Sequence, residues 1–340
     1  MAPARQPPQI VLGTHTIGDV TALPGIIHID KVEEVQALLD VFYSRGYRTI
    51  DTARNYVGSE DRLGKAGAAS RFTIHTKVLD GTPGSHESAK IEASIKQSLA
   101  DLRTSATESM FLHVPDRQTP FEDAAGAMNK AFHEGKFKRF GLSNYTAEEV
   151  QQFLDICEEK DYVKPSIYQG NYNAIMRGGE KELIPLLRKH NISYFAYSRC
   201  TPGNAEANTK NDHSPGAGGL FSGSAGNSNA STRWSNDNPV GKRALEFYTR
   251  PSTDDTVAAV RRAAEKHGVS GHAAALRWTT YHSQLDGKHG DAVVFGVRTM
   301  QQLEQSLDAF EAGPLPDELA DAITAVYKSF EGGEEPTFHL

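Results

Sequence analysis

Apolar residues along this chain fall into short blocks of two kinds, and the two kinds alternate. β-like runs sit at 47–52, 72–78, 109–114, 137–142, 166–171, 192–198 and 292–297. Gln9-Ile10-Val11-Leu12-Gly13 brings their number to about eight. Between them, apolar residues recur at helical spacing. Val32, Val35, Leu38, Leu39 and Phe42 make one stripe, with Gly46 to end it. Ile91, Ile95, Leu99 and Leu102 make a second. Leu183, Leu186 and Leu187 make a third, and Val257, Val260 and Ala264 a fourth that closes at Gly268. Asp30 with Glu33, and Thr146 with Glu149, have capping-box spacing. Thr119-Pro120 opens a further helix that Gly135 stops. Strand–helix alternation calls for parallel strands, because each helix carries the chain back across the sheet. Eight such units predict an α/β fold, a (β/α)8 TIM barrel with long loops on its active-site face, spanning 1–340 as one domain.

One stretch breaks the rhythm. From 201 to 239 the chain is rich in Gly, Ser, Asn and Pro and poor in large apolar residues. Such a composition buries too little surface to offset its ordering entropy. It follows the seventh run, so it is expected on the active-site face as a mobile lid or a partly disordered insertion.

Several runs deliver reactive groups at their carboxyl ends, the ends that converge on one site in a barrel. Asp51 closes the second run, and Tyr56 follows five residues later. Lys77 and His113 close the next two. A carbonyl accepting hydride needs a proton on its oxygen. An unperturbed phenol, with a pKa of about 10, is a poor acid at neutral pH. A nearby ammonium favours the phenolate and so makes Tyr56 a better donor, while desolvation opposes that shift. Asp51 would hold Lys77 charged and in place, and His113 could orient the substrate oxygen. None of these groups supplies hydride, so a nicotinamide is required. Taken singly, each has an ordinary alternative: a cap, a solvated charge, a loop aromatic, a core imidazole. Their arrival at successive strand ends carries the catalytic reading.

Composition sets the bounds. Apolar residues are 38% and charged residues 23%, enough for a sizeable core in a globular chain. The net charge of −7 speaks against a nucleic-acid partner. Cys157 and Cys200 do not form a disulfide framework. No apolar run approaches the roughly 18 residues of a membrane span, and 1–8 has no apolar signal core. The expected address is therefore cytoplasmic, with a small-molecule carbonyl substrate as partner. The stripes do not say whose core buries them, so a homodimer stays open.

With these residues in view, the chain resembles the aldo-keto reductase family over nearly its whole length. Asp51-x4-Tyr56, Lys77 and His113 match, as does Gly135-Lys136-Phe137-Lys138-Arg139-Phe140-Gly141-Leu142-Ser143-Asn144-Tyr145. Tyr168-Gln169-Gly170-Asn171-Tyr172-Asn173-Ala174, Ala275-Leu276-Arg277-Trp278 and His289-Gly290-Asp291-Ala292-Val293 look most like the branch that reduces aflatoxin dialdehyde and succinic semialdehyde. The resemblance implies a barrel, NADPH and the tetrad of Tyr56, Asp51, Lys77 and His113. It assigns Ser143, Asn144 and Gln169 to the nicotinamide carboxamide and stacks Tyr197 on the ring. There is no G-x-G-x-x-G after a first strand, so a Rossmann module is not indicated.

The last unit reads Gly296-Val297-Arg298-Thr299-Met300-Gln301-Gln302-Leu303-Glu304-Gln305-Ser306. A helix starting there would attract phosphate. Arg298 can pair with a 2′-phosphate and Thr299 can add a hydroxyl, with Gln302 and Ser306 further along the cofactor side. Relatives usually carry Ser at 298 and Asn at 306, so adenine contact through Ser306 is less complete. In relatives the seventh strand runs from tyrosine into Ser/Asn-Pro-Leu and a Gly-rich loop. Here that motif resumes only at Ser214-Pro215-Gly216-Ala217-Gly218-Gly219-Leu220, so 198–213 look inserted. They are either a lid extension or a retained intron, and a transcript lacking those codons would refute the lid. Ser198 and Ser214 are both candidates for the pyrophosphate. Arg54, Arg233 and Arg243 are candidates for an anionic substrate. The acidic tail at 331–340 lacks arginine, so an aryl or dicarbonyl aldehyde fits as well as succinic semialdehyde.

Two other functions compete with reduction. One is a non-catalytic, nicotinamide-sensing barrel. The other is a sugar-phosphate isomerase, which would need a carboxylate base at a strand end and leaves the tyrosine–lysine pair without a part.

Overall fold

A computed structural model describes residues 5–23, 26–197 and 251–328. Ser198, Ser214, Arg233, Arg243, Cys200, the 198–213 insertion, the rest of the polar stretch and the tail at 331–340 lie outside the described residues. The eight expected runs are strands: β1 (Gln9–Gly13), β2 (Thr49–Asp51), β3 (Thr73–Lys77), β4 (Thr107–Leu112), β5 (Phe137–Ser143), β6 (Ile167–Asn171), β7 (Ser193–Tyr197) and β8 (Ala292–Gly296). They pair in parallel, in chain order, and β8 closes on β1. This is the (β/α)8 barrel that the alternation predicts. Among the described residues the helices are α1 (Val32–Ser44), α2 (Ser59–Lys65), α3 (Ser88–Asp101), α4 (Phe121–His133), α5 (Ala147–Glu159), α6 (Leu183–Lys189), α7 (Pro251–Lys266), α8 (Gly271–Tyr281), α9 (Met300–Glu311) and α10 (Asp317–Lys328).

The period of two within each strand decides which residues reach the site. Ile10, Leu12, Ile50, Ile74, Met110, Leu112, Phe140 and Leu142 pack outward against the helices in the main core. Val11, Phe111, Ile167, Phe195, Ala292 and Val294 fill the barrel interior. Counting two residues from an interior position toward the carboxyl end gives Gly13, His113, Gln169, Tyr197 and Gly296; Ser143 likewise lies two beyond Gly141, and the same parity holds for Asp51 and Lys77. Gly141 is part of this packing, because a Cβ there would sit 2.3 Å from Cδ1 of Phe111. Its absence lets the Phe111 ring fill the barrel.

Helices α1 and α3 bury the first two stripes read from the sequence. Val35, Leu38, Leu39 and Phe42 are buried on α1, and Ile91, Ile95 and Leu99 on α3. Thr146 and Glu149 form the expected capping box on α5. The box expected from Asp30 and Glu33 does not form. α1 starts one residue later, at Val32 after Lys31, without a side-chain cap. Asp30 instead accepts from Nε and Nη2 of Arg62 at 3.0 and 2.7 Å. A charged donor on α2 outcompetes a local cap. Pro120 stands at the N-cap of α4 rather than inside its first turn. Among the described residues no helix is long and apolar enough to cross a membrane.

Candidate active site

Asp51 ends β2 and Lys77 ends β3, and both side chains are buried. Lys77 Nζ donates to Asp51 Oδ2 at 2.6 Å and to the Thr52 carbonyl at 2.8 Å. Gln169 Nε2, from β6 across the barrel, donates to Asp51 Oδ1 at 2.8 Å. Both oxygens of the carboxylate are thus engaged. Burial pushes the Lys77 pKa down from 10.5, and Asp51 opposes it without cancelling it.

Tyr56 lies in the loop after β2 and is half-buried. Turns on either side fix it: its N–H donates to the Ala53 carbonyl at 3.0 Å, and its carbonyl accepts from Ser59 N–H at 2.8 Å. Lys77 Nζ lies 5.4 Å from the centre of the phenol ring. His113 meets that ring edge-on, with centroids 5.9 Å apart. His15 meets it edge-on at 4.8 Å. The structure therefore brings together the four residues read from the sequence and adds His15. This imidazole is exposed at the rim, yet surrounding protein lowers its pKa, and the charges of His113 and Lys77 add to the effect. A single histidine after β1 carried no sequence signal that set it apart.

His113 follows β4 directly. Its Nδ1 stands 3.1 Å from Oδ2 of Asp80. Its carbonyl accepts from Asn144 Nδ2 at 2.9 Å. Asn144 has a left-handed backbone, φ +67°, which asparagine tolerates better than most residues. The same Nδ2 lies 3.0 Å from Ser143 Oγ, and Asn144 Oδ1 accepts from the Tyr197 hydroxyl. The Asn144 amide is therefore used within the protein. Ser143 keeps a hydroxyl hydrogen to donate, and Gln169 keeps Oε1 to accept. A donor and an acceptor at adjacent strand ends suit a carboxamide, and Tyr197, half-buried at the end of β7, offers a ring beside them.

At the far side of the site, Thr299 is the N-cap of α9 and accepts from Gln302 N–H at 3.2 Å. Gln302 Oε1 accepts from Arg298 N–H at 2.8 Å. These two side chains brace the helix start. The N–H groups of Met300 and Gln301 have no partner within the helix, as helix geometry requires, so the turn can receive an anion. Arg298 is half-buried at that turn. Ser306 is buried on α9, with its Oγ 3.1 Å from His272 Nε2.

Arg54 is paired within the protein. Its Nη1 is bonded to Glu60 Oε2 at 2.7 Å and to a carboxylate oxygen of Asp101. Glu60 is buried and also accepts from Thr76 at 2.7 Å and Ser98 at 3.1 Å. The guanidinium is consumed as the counter-charge of a buried carboxylate. Among the described residues no group of His, Cys, Asp and Glu could hold a metal ion.

The barrel and its strand-end phenol, ammonium, carboxylate and imidazole define an oxidoreductase of the TIM-barrel class. The chain belongs to the Aldo/keto reductase family, whose model matches residues 9–328. Oxidoreductase sirO of Leptosphaeria maculans is 34% identical, with 96% of each chain covered. Aflatoxin B1 aldehyde reductase member 4 of Homo sapiens is 32% identical over 86% of this chain and 88% of its own length. Aflatoxin B1 aldehyde reductase member 2 of Homo sapiens is 30% identical over 94% and 87%, respectively.

Proposed function

We propose that this chain reduces an aldehyde or ketone to the alcohol with NADPH, Tyr56 acting as the general acid. The observation that carries the reading is the buried Lys77–Asp51 pair at 2.6 Å, with its ammonium 5.4 Å from the Tyr56 ring. A bound reduced nicotinamide supplies the hydride. Ser143 and Gln169 hold its carboxamide, Tyr197 covers its ring, and Arg298 with the start of α9 takes the 2′-phosphate. Arg298 is the reason for choosing NADPH over NADH. Tyr56 gives its hydroxyl proton to the carbonyl oxygen as negative charge develops there. Lys77 stabilises the phenolate that remains, and Asp51 holds the ammonium in place. His113 orients the oxygen by a hydrogen bond.

The surroundings favour an apolar carbonyl compound. Val57, next to Tyr56, and Leu79, two residues beyond Lys77, are exposed, as is Val20 in the loop after β1. Arg54 is paired with Glu60 and Asp101. An aryl aldehyde fits these groups better than a short acid-aldehyde, and relatives named for an aldehyde reduction support the class.

Protein mixed with NADPH and 4-nitrobenzaldehyde should lose absorbance at about 340 nm, as reduced nicotinamides do on oxidation. Tyr56→Phe should abolish that loss while binding NADPH as before. Full turnover by the variant would refute the reading. Tight NADPH binding with no turnover by the wild type, across a panel of aldehydes, would favour the sensor.

A further inference from the structure

Asn55 immediately precedes Tyr56 in the loop after β2, and both ends of its side-chain amide engage one residue in the loop after β3. Nδ2 donates to Asp80 Oδ1 at 2.6 Å and to the Asp80 carbonyl at 3.3 Å. Oδ1 accepts from Asp80 N–H at 3.1 Å. These bonds extend a backbone ladder. Thr52 N–H donates to the His75 carbonyl at 2.9 Å, and Arg54 N–H donates to the Lys77 carbonyl at 3.0 Å, both past the end of β2. One residue further on, the Asn55 side chain pairs with the N–H and C=O of Asp80 as a backbone amide would. The bond to the Asp80 carboxylate is charge-assisted and so stronger than a neutral one. The Asp80 end is itself anchored, because Leu79 N–H donates to Ser94 Oγ on α3 at 2.8 Å. The Asp80 side chain is 5% exposed, so little water competes for it.

We infer that Asn55 is a positioning residue for Tyr56: its clasp on Asp80 ties the loop that carries the phenol to the strand end that carries Lys77. The two partners start from unequal footing. Lys77 is held at the end of β3 by Asp51 and by the Thr52 carbonyl. Tyr56 stands on a loop, and its place relative to the ammonium depends on how that loop is tied. On the downstream side, Asp19 N–H donates to the Val57 carbonyl at 2.9 Å and Ser59 N–H to the Tyr56 carbonyl at 2.8 Å. Those bonds refer the turn to the loop after β1 and to α2. On the upstream side, Arg54 N–H and the Asn55 amide refer it to β3 and the loop that follows. Asn55 is the residue adjacent to the phenol in this brace. It therefore helps to set the 5.4 Å between Lys77 Nζ and the centre of the Tyr56 ring. Placement matters in a proton donor, since a shift of about 1 Å can cost a hundredfold in rate.

This inference rests on Tyr56 as the proton donor of carbonyl reduction, so one test reads turnover and another does not. Asn55→Ala should lower kcat about tenfold or more, as a misplaced donor does. KM for the aldehyde and Kd for NADPH should change less than about threefold, since uniform binding is untouched. Asn55→Asp sets two carboxylates against each other and should lower kcat at least as far. Combining Asn55→Asp with Asp80→Asn reverses the pair, keeps its single negative charge and should recover most of the rate. Two independent structural defects would add instead. Independently of turnover, ¹⁹F spectra of protein carrying 3-fluorotyrosine, with Tyr56 assigned by Tyr56→Phe, should show one sharp signal for that ring. In Asn55→Ala the signal should broaden or divide, and in the reversed pair it should sharpen again. An unchanged Tyr56 signal or undiminished kcat in Asn55→Ala, or no recovery in the reversed pair, would overturn the inference. Absence of turnover in the wild type would count against the reductase reading alone, and the fluorine signal would then decide whether Asn55 holds Tyr56.

Discussion

Gln169 donates its side-chain amide to Oδ1 of Asp51 across the barrel, at 2.8 Å. The residue proposed to hold the nicotinamide carboxamide is therefore also a partner of the carboxylate that holds Lys77. Gln169→Leu should weaken cofactor binding and slow chemistry together. NADPH affinity should fall about threefold to tenfold, the range for an ordinary hydrogen bond, and kcat about tenfold or more, the lower end for a hydrogen bond to a charged group. Fluorescence titration with NADPH and single-turnover rates measure the two effects. A change in affinity alone would show that Asp51 does not need the amide.

Lys77 should set an alkaline limit on the proposed reduction. Its charged form is needed beside the phenolate, and its folded pKa is held below 10.5 by burial. The rate should therefore fall as pH rises, with an apparent pKa below 10.5 that belongs to the Lys77–Asp51 pair as a unit. Asp51 favours the ammonium, so Asp51→Asn should move the limit to still lower pH. The pH dependence of kcat for both proteins tests this. An unmoved limit would assign the titration to another group.

Arg54→Ala should act on stability and not on substrate choice. It leaves Glu60 buried without its cation, a loss of about 3 kcal/mol by analogy with other broken buried pairs. Urea unfolding would report it. The ratio of kcat/KM for a carboxylate-bearing aldehyde to that for a neutral one should stay constant. A selective rise in KM for the acid would restore Arg54 as a substrate anchor.

His75 is buried inside the barrel beside Ser109, with Nδ1 2.6 Å from Oγ. Burial, with help from the Arg139 and Lys77 charges, lowers its pKa from 6.5 to about 3. The unfolded chain binds the proton first on acidification. Stability should thus be intact above the unfolded value and decline as pH falls from 6.5 toward about 3. His75→Gln should flatten that decline by roughly 1.4 kcal/mol per pH unit. Denaturation series at several pH values would show it. A parallel decline in the variant would mean that other groups dominate.

Gly64, on α2, has no room for a side chain. A Cβ there would stand 1.9 Å from the Asp101 carbonyl oxygen at the end of α3. Gly64→Ala must push the two helices apart and should cost on the order of 2 kcal/mol, as overpacking does. Thermal unfolding would measure the cost, and an unchanged Tm would show that the backbones yield freely.

The eight strands were legible in the sequence because strand burial imposes a period that the residues must obey. β1 runs from Gln9 to Gly13, as the apolar run does, and β7 ends at Tyr197. The tetrad was legible for a related reason. A parallel barrel brings every carboxyl end to one face, so adjacency in space follows from position at a strand end. The pairing of Arg54 was not legible, because Glu60, 6 residues on, and Asp101, 47 residues away, meet it only in the folded structure. Asp30 was misread for the same reason, since Arg62 is 32 residues away and takes it from its expected cap.

The sequence by itself determined the barrel, its register of inward and outward residues, and the convergence of Tyr56, Asp51, Lys77 and His113. Side-chain parity and element order are local properties, and they propagate through a regular fold. The tertiary structure alone decided which groups stand behind those four. Asp80 beside His113, Gln169 behind Asp51 and His15 against Tyr56 all come from loops or from strands across the barrel. Such contacts depend on distance in space and on competition among charged partners, and no spacing along the chain encodes either.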